Sequence, residues 1–138
     1  MRYLLDLCVF AEMLRVEPDA RVSAWLKRAA PSGLATAAVV MAELHEADAR
    51  WGPGRAGAAV NDWVRDLTEA FGASVLPFDA AAAAAFGGLQ ALVSGSGACF
   101  SLADAQVAAT AQAHGLILAT RAPERLRPWG GAVVDPWV

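Results

Sequence analysis

The chain has 138 residues, 57% of them hydrophobic and 18% charged, a composition too apolar for a disordered chain and of a length that fits one compact domain over residues 1–138. Eleven Lys and Arg against fourteen Asp and Glu give a net charge of −3, so there is no global basic field and any nucleic-acid contact has to use a local patch. Asp6 and Glu12 interrupt the apolar N-terminus, no run is long enough for a membrane span, and Cys8 and Cys99 form neither a disulfide framework nor a thiolate zinc pair; a soluble, cytoplasmic protein is expected.

Tyr3-Leu4-Leu5 is a short apolar run that predicts a buried strand with Asp6 at its carboxyl tip. A helix opens at Pro18, carries Val22, Trp25, Leu26 and Ala29 at helical spacing, and ends at Pro31-Ser32-Gly33. Leu34 and Ala35 form a very short strand, and Thr36 caps a helix running through Val39, Val40, Glu43, Leu44 and Ala47. A Gly- and Pro-bearing loop at 52–57 leads to a helix through Val60, Trp63, Val64, Leu67 and Phe71, stopped by Gly72. Ser74 to Phe78 reads as a strand. Asp79 caps the alanine run Ala80 to Ala85, after which Gly87 and Gly88 mark close packing or a bend.

Ser94 to Gly97 is a loop. Ser101-x-x-Asp104 has the form of a capping box opening a helix from Leu102 to His114, which Gly115 ends. Leu116 to Thr120 and Ala132 to Val134 are further strands. Strands alternating with helices predict an α/β fold with a central, mainly parallel sheet.

Three carboxylates stand out. Asp6 sits where α/β proteins gather ligands, beyond a strand's carboxyl end, although it also suits a helix cap. Glu43 shares the apolar helix face of Val39, Val40 and Ala47, a costly place for an unpaired charge, so it needs an arginine or a cation. Asp104 belongs to the capping box and also flanks the apolar Val107 and Ala108. If all three meet, their repulsion at about 4 Å is roughly 4 kcal/mol per pair at an effective dielectric near 20, which calls for protonation or a cation. Hard oxygen ligands favour Mg²⁺ or Mn²⁺, which would activate water for attack on a phosphodiester.

Several motifs lead elsewhere. His45-Glu46 lacks the second His of a zinc protease, and Gly95-Ser96-Gly97 neither follows a strand nor completes a nucleotide-binding glycine pattern. Asp6 as a phosphoryl acceptor would want a second Asp at position 8 or a late Lys, and neither is present. Arg121, Arg125 and Arg127 form a local basic segment able to reach RNA phosphates, or to lie solvated in a loop. Trp51, Trp129 and Trp137, near element ends, are core residues or interface anchors.

Leu4-Leu5-Asp6 with Val9 and Glu12, Ala42-Glu43-Leu44, Leu76-Pro77-Phe78-Asp79, the stretch from Asp104 to Arg121, and Asp135-Pro136-Trp137 together resemble the PIN-domain family, especially the VapC-like ribonuclease toxins. The resemblance implies a PIN-like three-layer fold, metal-dependent endoribonuclease activity, a cognate antitoxin and a homodimer. It carries the roles of acidic metal ligands onto Asp6, Glu43 and Asp104. Two positions depart from the family pattern. Leu7 and Cys8 replace the polar residues that usually follow the first acid, and Arg125 stands where a fourth acid is expected, with Glu124 one residue away as a substitute ligand. The second departure keeps open an alternative, a PIN-like binding subunit that retains partner and RNA contacts with weakened catalysis.

Overall fold

The computed structural model describes residues 1–51, 55–98, 100–121 and 123–138. Strand β1 (Tyr3–Leu5) leads into helix α1 (Leu7–Met13) and then α2 (Ala20–Ala29). Strand β2 (Leu34–Ala37) is followed by α3 (Ala38–Trp51) and α4 (Arg55–Phe71), and β3 (Val75–Leu76) by α5 (Ala80–Val93) and α6 (Leu102–Ala113). Strand β4 (Ile117–Ala119), a 3₁₀ segment over Pro123–Trp129 and β5 (Val133–Val134) complete the chain.

Among the described residues the five strands form one all-parallel sheet in the order β3-β2-β1-β4-β5. The chain steps outward from β1 through β2 to β3, then returns across β1 to place β4 and β5 on the other side. Right-handed crossovers taken in the two directions set helices on the two faces, which gives the expected three layers. The reversal makes a topological switch point between β1 and β4, and ligands in such sheets bind beyond the strands' carboxyl ends at that point.

The central strands are buried on both faces. Leu4, Leu5, Ala35, Ala37, Leu118 and Ala119 are all at most 1% exposed. Phe10 of α1 anchors the same core with edge-on contacts to Phe71 and Trp63 at 5.7 and 6.3 Å between ring centroids. Full burial of side chains of this size stabilises the fold by about 1.5–3 kcal/mol each. Trp129 and Trp137 are buried core residues, whereas the side chain of Trp51 lies outside the described residues.

Local capping follows the sequence closely. Asp79 accepts the Ala82 N–H at 3.0 Å, and Ser101 accepts the Asp104 N–H at 3.0 Å. Gly72 and Gly115 end their helices with φ of +48° and +63°. Other expectations are corrected. Thr36 does not cap α3: it lies inside β2, fully buried, and its hydroxyl donates to the Leu5 carbonyl at 3.1 Å. The strand expected over Ser74 to Phe78 is only Val75–Leu76, because a 3₁₀ turn occupies Gly72–Ser74. Of the loop expected at 52–57, residues 52–54 lie outside the described residues and Arg55 already begins α4. Gly87 and Gly88 continue α5 without a break, and an added Cβ at either would meet nothing within 4 Å, so they mark neither close packing nor a bend. No helix among the described residues is long and apolar enough to cross a membrane.

The Thr36 hydroxyl thus ties β2 to the last residue of β1, immediately before Asp6. Thr36→Val, nearly equal in shape, is expected to lower unfolding free energy by about 1 kcal/mol, the net worth of one such hydrogen bond, measured by urea denaturation.

Candidate acidic active site

Asp6 leaves the sheet at the switch point. Its N–H donates to the Ala119 carbonyl at 3.1 Å, which continues the β1–β4 ladder and fixes where the carboxylate emerges. One carboxylate oxygen, Oδ1, accepts the Leu7 N–H at 2.8 Å, so Asp6 does cap α1. The other, Oδ2, accepts the Thr120 hydroxyl at 2.6 Å. Thr120 follows β4, so the two residues flanking the switch point are joined directly.

Cys8 adds little to this. Its thiol lies 3.8 Å from Asp6 Oδ2 and 3.6 Å from Thr120 Oγ1, and the sulfur accepts the Arg121 N–H at 3.3 Å. Burial, and then the Asp6 charge, push the Cys8 thiol pKa up, which keeps it protonated and a weak donor. The steadying of Asp6 that its own neighbours in sequence do not supply comes from Thr120, across the sheet. Sequence reading missed Thr120; the signal was its place at the carboxyl end of a predicted buried strand.

Glu43 projects from α3 and Asp104 from the first turn of α6. Burial is the main influence raising the Glu43 pKa, followed by the charges of Asp6, Asp104 and Glu46, and no hydrogen bond offsets them. Asp6 is also raised, by burial first and by Asp104, with the Thr120 and Leu7 hydrogen bonds opposing. Asp6 and Asp104 thus act on Glu43, and Asp104 on Asp6, but among the described residues the three are not gathered at ligating distance. Asp104 is partnered by Arg125, whose guanidinium donates to Oδ2 at 3.2 Å. Glu124 is exposed on the 3₁₀ segment, and is not among the charges acting on Asp6 or Glu43.

Among the described residues no three His, Cys, Asp or Glu side chains are gathered closely enough in this conformation to hold an ion. The donor chemistry nonetheless suits a hard divalent cation, since three mutually repelling carboxylates offer only oxygen. Arg121 lies over the Trp137 ring, 5.2 Å from its centroid, and Arg127 is exposed. Glu12 is a second carboxylate whose role was not foreseen. Buried at 4% exposure, it accepts the Asp19 N–H at 2.8 Å and the Trp137 indole N–H at 3.4 Å, so it clasps the α1–α2 turn to the C-terminus. The Asp19 bond is the chief reason its pKa is lowered.

Beside the acids a cavity of about 290 Å³ is lined by Leu7, Glu43, Glu46, Ala47 and Arg50. An apolar groove of about 400 Å³ adjoins it through Leu7 and Ala47, and is walled by Ala11, Leu14, Leu44 and Val60 with Arg15 at its edge.

A parallel α/β domain with an acidic residue, Asp6, at its switch point and further carboxylates near it is the class these features define. The PIN-domain family profile matches residues 3–123, and the chain belongs to that family. It is 32% identical over 135 residues to VapC ribonuclease Y4jK of Sinorhizobium fredii, covering 97% of this chain and 96% of the relative. It is 31% identical over 135 residues to toxin FitB of Neisseria gonorrhoeae, covering 97% of each. The crystal structure of FitAcB from Neisseria gonorrhoeae superposes with a TM-score of 0.90 at 31% identity over 98% of both chains. VapBC2 from Rickettsia felis, bound to a promoter DNA fragment, has the same fold at 18% identity, with a TM-score of 0.82 over 97% of this chain and 98% of that one.

The raised carboxyls make stability depend on pH in a defined direction. As pH rises above about 4, the ordinary carboxylate value, the unfolded chain releases protons that folded Glu43 and Asp6 retain, and stability falls through their raised pKa values. Asp19, held at about 2 chiefly by the Arg21 side chain, and Glu12 act oppositely, and only at more acid pH. Glu43→Gln is expected to match the parent in strong acid and to melt at progressively higher temperature than the parent as pH rises above about 4 in chelator. Parallel melting curves across that range would contradict the burial assigned to Glu43.

Proposed function

We propose that this protein is a divalent-metal-dependent endoribonuclease, the toxin of a cytoplasmic toxin–antitoxin pair, working as a homodimer. The observation that carries the reading is the placement of Asp6, Glu43 and Asp104 in mutual electrostatic reach at the switch point of a PIN domain. The named relatives, a VapC ribonuclease and a FitB toxin matched along nearly their whole length, support it.

Asp6, Glu43 and Asp104 would hold Mg²⁺ or Mn²⁺, with Glu124 as a further oxygen from the 3₁₀ segment. When bound, the ion supplies charge neutralisation and an activated water for in-line attack on a phosphodiester. The chain's own residues do the positioning. Thr120 and the Leu7 N–H fix the two Asp6 oxygens, so this ligand is pre-oriented by the sheet. Among the described residues nothing hydrogen-bonds Glu43, and burial first, then the neighbouring acids, raises its pKa. Arg121, Arg125 and Arg127 provide the local positive charge that a net-acidic protein needs to hold RNA phosphates.

The alternative, a binding subunit with weakened catalysis, draws on one observation: Arg125 at Asp104, where a further acid would strengthen metal binding. Incubation of the purified protein with structured RNA and Mn²⁺ or Mg²⁺ separates the two. Cleavage is expected, abolished by chelator and reduced at least about 100-fold by Asp6→Asn or Asp104→Asn, the scale of losing a group that stabilises charge in the transition state. RNA binding without metal-dependent cleavage would establish the alternative, and cleavage surviving both substitutions would remove the site assignment.

The apolar groove between α1, α3 and α4 suits an antitoxin segment, as the solved relatives include FitAB bound to a DNA fragment. An amphipathic helix laying apolar anchors into such a groove is a common recognition mode. Ala47→Arg at the groove's junction with the acidic cavity is expected to weaken binding of the antitoxin encoded beside the gene by about 10-fold or more in titration calorimetry, with the fold unchanged by circular dichroism. Unaltered affinity would place the antitoxin elsewhere.

A further inference from the structure

The charge balance at the acidic cluster is uneven. Asp6 is satisfied by Thr120 and the Leu7 N–H, and Glu43 has no hydrogen bond offsetting its burial. Asp104 alone has a cation, and that cation is Arg125, twenty-one residues further along the chain on the 3₁₀ segment after β4. The Asp104 backbone N–H is engaged by the Ser101 cap, and Arg125 is the group bonded to its carboxylate among the described residues. Among the described residues no three of the acids reach ligating distance. The residue that holds the Asp104 carboxylate is therefore the one that also neutralises it.

We propose that Arg125 is a tethered counter-ion of the metal site: it holds Asp104 in the metal-free protein and competes with the divalent cation for that carboxylate. The inference rests on the metal-site reading above. Arg125 acts through Asp104, so it is a positioning residue. Its side chain is 70% exposed and that of Asp104 32%, so the pair is bathed in water and easily exchanged, and its worth is modest. Exposure also means that Arg125 is replaceable without loss of the core. When an ion binds, the guanidinium must leave Oδ2 or remain as a like charge beside a divalent cation, and both cost binding free energy. Binding is thereby weakened but not prevented, and the penalty falls as salt screens the Arg125 charge.

The test is Mn²⁺ binding to the full chain free of its antitoxin, read by titration calorimetry and by the electron paramagnetic resonance signal of free Mn²⁺, with no RNA present. Arg125→Ala is expected to tighten Mn²⁺ binding by about five-fold at low salt, the upper range for releasing a solvent-exposed pair, and Arg125→Lys to stay near the parent value. The gain should shrink as ionic strength rises, a response that a purely structural role for Arg125 would not give. Asp104→Asn should lose the site, and in that background Arg125→Ala should give no gain. If the parent binds Mn²⁺ through Asp104 and Arg125→Ala binds it equally or more weakly, the counter-ion role is overturned while the metal site stands. If neither the parent nor Arg125→Ala binds Mn²⁺ in a manner sensitive to Asp104→Asn, the metal-site reading falls, and this inference with it.

Discussion

The site depends on one constraint, the parallel pairing of β1 with β4. Leu5 is opposite Ala119, so the residues that follow, Asp6 and Thr120, leave the sheet side by side. Their 2.6 Å hydrogen bond is a direct product of that register. A parallel pair cannot be joined by a tight turn, and here more than a hundred residues separate the two strands. All the other strands and helices lie in that interval or beyond it. The switch in winding direction falls between the same two strands, so the constraint that closes the sheet also opens the crevice where ligands collect.

What the fold gathers there is electrostatically expensive. Burial disfavours the charged forms of Asp6 and Glu43, and each carboxylate worsens the position of the others. The protein meets this cost unevenly. A hydroxyl and a backbone N–H serve Asp6, a guanidinium serves Asp104, and nothing comparable serves Glu43. Contrast Glu12, also buried, whose pKa is lowered chiefly by the Asp19 N–H and further by the Trp137 indole and the Arg15 guanidinium at 3.5 Å. The same residue type is a structural clasp in one place and a strained group in the other. The difference is whether the fold supplies donors and a counter-charge.

The features legible in the sequence were those set by near neighbours. Asp79 and Ser101 cap their helices with bonds three residues away, and Gly72 and Gly115 stop helices through their own backbone freedom. Asp6 at a strand tip and Glu43 on an apolar helix face were legible because periodicity alone shows an acid out of place. Illegible features were those decided across the sheet. Thr36 looks like a cap to its own neighbours, yet its hydroxyl is taken by Leu5, thirty-one residues earlier, and the strand continues through it. Thr120 and Glu12 owe their roles to partners 114 and 125 residues away, at Asp6 and Trp137. Arg125 was visible as a departure from an acidic pattern and as part of a basic segment, whereas its pairing with Asp104, twenty-one residues away, is set by the fold.

The geometry also bears on how a partner would silence the site. The apolar groove and the acidic cavity are not separate features, since Leu7 and Ala47 line both. Leu7 is the first residue of α1, capped by Asp6 itself, and Ala47 stands one helical turn beyond Glu43 on α3. A helix seated against Leu14, Leu44 and Val60 would bring its end past Leu7 to Glu43, which has no hydrogen-bond donor among the described residues. Its affinity would come from the apolar wall, where burial is worth about 25 cal/mol per Å². Its inhibitory effect would come from whatever polar or cationic group it carries into the acidic end. The walls of the groove are the helices that carry the site, so occupying one end fills the other.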